Sequence, residues 1–384
     1  MIDIIIQRYD RQLLIYLSIL AVVGTIMLYS ASWYESFSSS NGRTEMLFLQ
    51  NHLKRLLVGV FFLFGFLLID YRKLKNIAPY LIIVSILLLI ITKIFYLANG
   101  HSWYKPARWL SFGSLSLQTS DIARFSVILF MAYYVDQKRE KLQDFQLGLL
   151  PALGVLGIIM TLVIIQPDYS TALMIGMIGV AILFIGGAKI SQLSLTGSGA
   201  LLILIPVLLS REYRWQRILS FLGIGNNSDI GYQANQSLIS LGNGGIFGVG
   251  LGNSIEKNHF LPTPHTDFIF AIIGEELGFL IGTAPVLTLF LLIFLRGLKI
   301  AKMCTNPFGI FLSIGICLNL VQYAFVNAAV VTGILPVTGL PMPMVSYGGS
   351  GMVVNMAMMG ILLNISQSPK SIGNGRPWSA TRYG

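Results

Sequence analysis

Long apolar segments alternate with short polar connections along most of the chain. A helix that crosses a bilayer needs about 20 predominantly apolar residues, and ten segments approach or exceed that length. The pattern predicts an all-α polytopic membrane protein with about ten transmembrane helices. Asp121 and Arg124 interrupt the start of the fourth segment, and the long eighth segment contains Glu275 and Glu276. The ten segments lie near residues 12–32, 53–70, 78–97, 120–136, 148–165, 170–187, 193–210, 267–295, 307–330 and 345–365.

Composition supports a membrane protein. Of the 384 residues, 54% are hydrophobic and 11% are charged, whereas a soluble globular protein has about 25% charged residues. This excludes an ordinary soluble enzyme, a disordered chain and a fibrous repeat. Cys304 and Cys317 are too few for a disulfide framework, and the four histidines lack the spacing of a metal motif. The net charge of +10 fits cytoplasmic loops and anionic lipid, so no nucleic-acid partner is expected.

Basic residues cluster in every second connection, which places both termini in the cytoplasm by the positive-inside rule. Residues 1–366 then form a single transmembrane domain, and residues 367–384 form a polar cytoplasmic tail. The inner set is Arg8, Arg11, Arg72, Lys73, Lys75, Lys138, Arg139, Lys141, Lys189, Arg296, Lys299, Lys302, Lys370, Arg376 and Arg382. Eleven other basic residues lie mostly on the outer side, where they could bind an anionic head group: Arg43, Lys54, Arg55, Lys93, Lys105, Arg108, Arg124, Arg211, Arg214, Arg217 and Lys257.

Two outer connections, 98–119 and 211–266, are long and rich in reactive side chains. The second is a large extracytoplasmic loop between helices 7 and 8, and its length is typical of a functional loop. It opens with a pattern that predicts a short interfacial helix, in which Trp215, Ile218, Leu219 and Leu222 share one face. Two readings stay open for the arginines of its other face: they anchor the helix or contact a lipid phosphate. These arginines are Arg214 and Arg217.

A glycine-rich stretch at 242–252 follows in the same loop. It is no dinucleotide-binding loop, because no βαβ unit surrounds it. The glycines are better explained by a turn in which two backbones approach each other closely. The alternative that backbone amides of this stretch bind an anion stays open. Further on, Thr266 or Asp267 is expected to cap the next helix, although Asp267 could instead be a functional carboxylate at the outer face.

Acids at or within apolar segments are costly, so each is a candidate functional group or buried ion pair. Glu275 and Glu276 are expected to pair with buried donors rather than to face lipid. Asp121 and Arg124 are spaced to pair on one helix face, and Asp168 follows a helix break. The full set is Asp121, Asp168, Asp267, Glu275 and Glu276.

Several ordered motifs match one protein family. They include Ala-Arg-Trp-Leu at 107–110, Gln-Pro-Asp-Tyr-Ser at 166–170, His-Thr-Asp-Phe at 265–268 and Ser-Tyr-Gly-Gly-Ser at 346–350. With the stretches 117–124, 232–252, 264–278 and 333–341, they make the chain resemble the SEDS proteins, the FtsW/RodA peptidoglycan polymerases. The resemblance implies ten membrane helices with cytoplasmic termini. The stretch 250–278 resembles the division member FtsW more than the elongation member RodA.

The resemblance implies a glycosyltransferase that polymerises lipid II at the outer face of the bacterial cytoplasmic membrane. Asp267 matches the essential aspartate of the family, and Trp109 matches its required tryptophan. The chain departs from the family's Gln-Pro-Ser-Glu…Lys pattern, because Thr119, Asp121 and Arg124 replace the proline, glutamate and lysine. The charge signs are kept, but arginine and lysine are not equivalent at a tight site.

The implied reaction inverts the donor sugar, so it needs a base and charge stabilisation for the leaving pyrophosphate. Asp267 is the candidate base. A divalent cation, Mg²⁺ or Mn²⁺, could assist, and no organic cofactor is expected. The candidate pyrophosphate contacts are Arg108, Arg124, Arg214, Arg217 and Lys257. The other candidate substrate contacts or orienting groups are Trp109, Gln118, Asp168, His265, Glu275, Glu276, Ser346 and Ser350.

Two other functions stay open. A lipid II flippase would place its key charges near the bilayer midplane with access from both sides, whereas the most suggestive cluster here lies outside. A non-catalytic scaffold would only bind and activate a partner. The resemblance also implies a class B penicillin-binding protein as partner, beside other divisome or elongasome membrane proteins.

Overall fold

The computed structural model describes residues 9–98, 108–112, 115–209, 212–221, 229–258 and 260–367. Almost all of the tail predicted at 367–384 therefore lies outside the described residues. The described part is mostly helical. Its α-helices, in chain order, are α1 (Arg11–Ser39), α2 (Leu47–Leu68), α3 (Tyr71–Ala98), α4 (Thr119–Lys138), α5 (Leu150–Ile165), α6 (Tyr169–Ile185), α7 (Ile190–Leu209), α8 (Glu212–Phe221), α9 (Asp229–Gly244), α10 (Ile269–Gly278), α11 (Ala284–Met303), α12 (Pro307–Val331) and α13 (Ser350–Ser366).

Helix covers each of the ten predicted apolar segments. Within the described residues, six helical stretches are long and apolar enough to cross a membrane, and two further apolar helices are shorter. The six are Arg11–Ser39, Leu47–Leu68, Tyr71–Ala98, Phe145–Ile165, Ile269–Met303 and Pro307–Val331. A mostly helical membrane fold is thus confirmed, and the exact number of crossings stays a prediction.

The eighth predicted segment is broken rather than continuous. Helix α10 ends at Gly278, which has a φ of 72°, and a π-helical turn over Phe279–Thr283 leads into α11. An added Cβ at Gly278 would collide with the backbone of Gly248. Glycine is therefore required here by both its positive φ and the close approach of a second backbone.

That second backbone belongs to the glycine-rich stretch. Val249 N–H donates to the carbonyl of Glu275 at 2.9 Å, and Gly250 N–H donates to the carbonyl of Glu276 at 3.0 Å. An added Cβ at Gly244 would likewise collide with the backbone of Gly274. The prediction of backbone-to-backbone approach is confirmed, and these bonds satisfy carbonyls at the end of α10 that the helix itself leaves free.

A short hairpin precedes α4. Strands β1 (Trp109–Phe112) and β2 (Leu115–Gln118) pair antiparallel, with Trp109 opposite Gln118. The all-α expectation therefore needs one correction, because two strands are present where the first long outer connection was predicted. The hairpin places Trp109 and Gln118 side by side at the start of α4.

The predicted helix at the start of the 211–266 segment is confirmed as α8, although its position in the membrane interface stays a prediction. The predicted cap of the later helix is wrong. Phe268 occupies the N-cap position of α10 and makes no side-chain capping bond. The Thr266 hydroxyl donates instead to the carbonyl of Thr263 at 3.1 Å, and the Asp267 side chain lines a cavity.

Helix α12 is the centre of the bundle. In its most apolar window 67% of the residues are buried, against 22% in α2 and α3. Helices α2 and α13 pack closely through glycines. An added Cβ at Gly360 of α13 would collide with the backbone of Leu63 in α2, and one at Gly59 would lie 3.0 Å from the Met356 side chain. Small residues let two helix backbones approach in this way.

We expect Gly360→Ala to destabilise the protein by about 1–3 kcal/mol, because an extra methyl in a well-packed contact forces a backbone shift. The measurement is the thermal unfolding temperature in detergent. Gly65→Ala is the matched control, because this glycine of α2 has nothing within 4 Å of its would-be Cβ and alanine favours the helix. Equal unfolding temperatures of the two variants would contradict the close packing.

Candidate functional site

A cavity of about 250 Å³ opens between the β1–β2 hairpin, α4, α12 and the start of α13. The polypeptide between α12 and α13 closes it on one side through residues 339–349. Six of the predicted catalytic and substrate-contacting residues line it, and so does the candidate acid Asp121: the six are Arg108, Trp109, Gln118, Arg124, Asp267 and Ser346. They come from four separate parts of the chain, so the fold itself assembles the site.

Asp267 is positioned through its backbone. Asn327 of α12 donates its side-chain N–H groups to the carbonyls of Asp267, at 2.7 Å, and Leu340, at 2.8 Å. A Cβ added at Gly339 would lie 3.4 Å from Asp267 Oδ2. No hydrogen-bond donor of the described residues contacts the Asp267 carboxylate, so its oxygens are available to a substrate.

The electrostatics of this carboxyl group suit a base. Burial raises the pKa of Asp267 above its ordinary value, and electrostatic interactions with Arg108, Arg217 and His265 oppose that rise. A raised pKa means that the carboxylate holds a proton more readily than an exposed aspartate does. General bases work best when their pKa lies nearer the working pH.

The hairpin holds a second acid behind the cavity wall. Gln118 Nε2 and Ser120 Oγ each donate to Asp168 Oδ2 at 3.0 Å. Arg108 Nη1 lies 3.5 Å from Asp168 Oδ1, and Arg108 also acts on Asp267. Asp168 is buried, and these contacts link it to Arg108 and Gln118, which both line the cavity.

The cavity floor contains the predicted pair of Asp121 and Arg124, which is confirmed at 3.2 Å. Ser350 Oγ donates to Asp121 Oδ2 at 2.8 Å. Arg124 Nη2 also donates to Asn355 Oδ1 at 3.3 Å, and its guanidinium lies 4.4 Å from the ring centroid of Tyr323. These contacts compensate the cost of burying the two charges.

Three important neighbours escaped the sequence reasoning: Asn327, Asn355 and Tyr323. The high cost of an intramembrane charge singles out acids and bases in the sequence, but not amides. Burial also costs free energy for an amide in an apolar helix, so Asn327 and Asn355 could have been selected on that ground. Tyr323 gives no such signal, because an aromatic residue in an apolar helix is common.

His265 lies beside the cavity rather than in it. Its Nδ1 is 3.0 Å from Glu35 Oε2 of α1. The ring packs on Phe48, at 4.5 Å between centroids, and on Tyr347, at 5.6 Å. The guanidinium of Arg55 covers the Tyr347 ring at 4.7 Å. These contacts hold the polypeptide two residues before Asp267.

The remaining predicted contacts are scattered. Ser346 Oγ accepts a hydrogen bond from the Met342 N–H at 2.8 Å, which stabilises the turn that carries it. Arg217 Nη1 donates to the carbonyl of Val337 at 3.1 Å. The side chain of Arg214 lies outside the part of the chain that the structure describes. Ser350 stands behind the cavity, where it accepts from the Gln118 N–H at 2.9 Å.

Lys257, Glu275 and Glu276 do not line the cavity. They form a separate buried network, in which the expected pairing of both glutamates with buried donors is confirmed. The predicted divalent cation stays untested. Among the described residues, no three histidine, cysteine or acidic side chains group closely enough to hold a metal ion.

Comparisons with known proteins agree with this architecture. Residues 10–371 match the FtsW, RodA and SpoVE family, described as "Cell cycle protein". The chain is 36% identical over 368 residues to the "Probable peptidoglycan glycosyltransferase FtsW" of Geobacter sulfurreducens, with 94% of this chain and 96% of the relative covered. It is 34% identical over 365 residues to "Stage V sporulation protein E" of Bacillus subtilis, with 93% and 97% covered.

Solved structures share the fold. One described as "Structural coordination of polymerization and crosslinking by a peptidoglycan synthase complex" has a chain that matches with a TM-score of 0.75 and 24% identity, over 93% of this chain and 97% of that one. The rod shape determining protein RodA of Thermus thermophilus matches with a TM-score of 0.66 and 23% identity, over 93% and 96%. With the family match over residues 10–371, the chain belongs to the FtsW/RodA/SpoVE family of cell cycle proteins.

Proposed function

We propose that this protein is a peptidoglycan glycosyltransferase that polymerises lipid II at the outer face of the bacterial cytoplasmic membrane. Relatives at 36% identity over nearly the whole chain carry the name peptidoglycan glycosyltransferase FtsW. The observation that carries the proposal is the Asp267 carboxylate, which lines a cavity among Arg108, Trp109 and Arg124. That arrangement supplies a base and cations within one enclosed space.

The proposed step joins two sugars. The 4-hydroxyl of the acceptor GlcNAc attacks C1 of the donor MurNAc, and the bond from C1 to the pyrophosphate oxygen breaks. The acceptor proton passes to the Asp267 carboxylate, and undecaprenyl pyrophosphate leaves with the electron pair. One displacement converts an α-linked donor into a β-linked product, which needs a single base and no covalent enzyme intermediate.

The cations of the cavity fit the leaving group. Arg108 is partly exposed, lies 3.5 Å from Asp168 and lines the cavity, so a pyrophosphate bound there could contact its guanidinium group. Arg124 uses Nη2 for Asp121 and Asn355, and it also lines the cavity. Guanidinium groups with free donors bind phosphate oxygens strongly. Their charge stabilises the pyrophosphate as it leaves.

Orientation and partnership follow from the same proposal. The cavity faces outward if ten helices cross with both termini in the cytoplasm, as the distribution of basic residues predicts. The solved synthase complex that shares the fold coordinates polymerization and crosslinking. We therefore propose a class B penicillin-binding protein as partner, which crosslinks the strands that this protein makes.

The first test replaces the proposed base. We expect Asp267→Asn to lower the rate of polymerisation of labelled lipid II by about 10²–10⁴-fold, the usual contribution of general acid–base catalysis. The assay uses purified protein with and without its penicillin-binding partner, with gel filtration to verify folding. Asp70→Asn is the matched control, because this exposed aspartate lies between α2 and α3, far along the chain from the cavity.

Two outcomes would contradict the proposal. Full activity of Asp267→Asn would exclude Asp267 as the base. If wild type makes no strands even with its partner and Mg²⁺, while its liposomes move lipid II across the bilayer, the protein is a flippase.

The second test is the pH dependence. The base is active only when deprotonated, so a raised pKa moves the acid limb of kcat/KM to a higher pH than an ordinary aspartate gives. Arg108 favours the carboxylate form, so Arg108→Gln should raise the pKa and shift the limb further upward. Lys54→Gln is the control, because this exposed lysine is not among the charges that act on Asp267. If the acid limb of kcat/KM does not move in Arg108→Gln, the group that titrates in that limb is not Asp267.

A further inference from the structure

A buried ion pair holds the segment that leads to Asp267. Lys257 Nζ donates to Glu276 Oε1 at 2.7 Å, to the carbonyl of Gly252 at 2.7 Å and to Ser30 Oγ at 3.1 Å. Ser30 Oγ in turn lies 2.7 Å from both carboxylate oxygens of Glu276. The side chains of Lys257 and Glu276 are only 1% and 0% exposed.

This placement leaves Lys257 no donor for a substrate. An ammonium group has three N–H donors, and all three have partners inside the protein. The pair also lies outside the cavity that Asp267 lines. Lys257 is therefore not placed to contact a pyrophosphate, contrary to the prediction from the sequence. Its ammonium group instead binds other parts of the protein.

Glu275 holds the same segment from its other side. Its Oε2 accepts from Ser254 Oγ at 2.5 Å and from Ser240 Oγ at 2.9 Å. Its Oε1 accepts from the Ile255 N–H at 3.0 Å. Two consecutive glutamates at the end of α10 thus connect the segment to α9 through Ser240 and to α1 through Ser30.

Helix α1 contacts both ends of this stretch. Ser30 joins the Lys257–Glu276 pair, and Glu35, little more than one turn later, lies 3.0 Å from His265. The Leu261 N–H also donates to the carbonyl of Glu256 at 2.8 Å, which ties the described residues after position 259 to those before it. The position of Asp267, two residues after His265, therefore depends on contacts that begin at Lys257.

We propose that Lys257 and Glu276 are positioning residues for glycosyl transfer. The pair lies outside the cavity and fixes segment 250–266 against α1 and α10. It thereby keeps the Asp267 carboxylate at its position in the cavity wall. The inference rests on the proposed function, because it concerns the placement of the same base. A shift of about 1 Å in a catalytic group costs about 10²-fold in rate, so a loose segment would slow catalysis without emptying the binding cavity.

A purely stabilising pair would behave differently, and a double variant separates the two roles. Removing one partner strands a buried charge and destabilises the fold, whereas replacing both by apolar groups of similar volume is often neutral. Lys257→Met/Glu276→Leu is that double variant. The matched control is Asp10→Asn/Arg296→Met, which removes a 2.6 Å pair at the opposite end of α1.

The experiment uses the full chain with its penicillin-binding partner and measures four quantities. They are the unfolding temperature, the hydrogen exchange of the 250–266 amides, and kcat and KM for lipid II. We expect the double variant to keep the wild-type unfolding temperature, to exchange faster in 250–266, and to lose about 10-fold or more in kcat with KM nearly unchanged. The control variant should keep wild-type exchange in that segment and wild-type kcat.

Each contrary result has its own meaning. If the double variant has the wild-type hydrogen exchange in 250–266 and the wild-type kcat, the positioning role is wrong. The pair would then contribute only to packing. The positioning role would also be wrong if kcat falls in proportion to the unfolding temperature in both the double variant and the control variant. Failure of the wild type to make strands would instead refute the proposed function, and the exchange measurement would still report whether the pair holds the segment.

Discussion

Every charge buried in this apolar bundle needs a partner, and that requirement organises the structure. Water cannot solvate these groups, so an unpaired one would cost several kcal/mol. Asp121 meets Arg124, Asp168 meets Arg108, and Glu276 meets Lys257. The first pair lies within α4, whereas the other two join different elements. The Asp168–Arg108 and Glu276–Lys257 pairs therefore help to fix how hairpin, loop and helices are placed relative to one another, beyond what non-directional apolar packing can specify.

Asp267 stands apart from these pairs. Its carboxylate receives no hydrogen bond from the described residues, and only more distant charges favour its ionised form. A buried carboxylate without hydrogen-bond donors is poorly stabilised in its charged form, which raises its pKa. Groups with shifted pKa values concentrate at functional sites. Asn327 fixes the position of Asp267 through its backbone carbonyl. The side chain therefore needs no hydrogen bond of its own to stay in place.

Much of this was accessible from the sequence, for reasons that differ by feature. Apolar segment length located the helices, because the bilayer sets that length. The i, i+3 spacing of Asp121 and Arg124 predicted their pair, because helix geometry makes such residues neighbours. The resemblance to a known family, rather than any spacing, singled out Asp267. Long-range contacts could not be deduced: nothing local indicates that Ser30 meets Glu276, or that Phe268 rather than Asp267 occupies the cap position.

The two contacts of α1 have a consequence for the length of the polypeptide. Lys257 and His265 are each held to the same rigid helix, at Ser30 and Glu35, so the span between them is a fixed distance. One residue inserted there would have to bulge outward or release one of the two contacts, and one residue deleted would pull Asp267 away from Gly339. The number of residues in this stretch is thus as much a part of the site as their chemical identity.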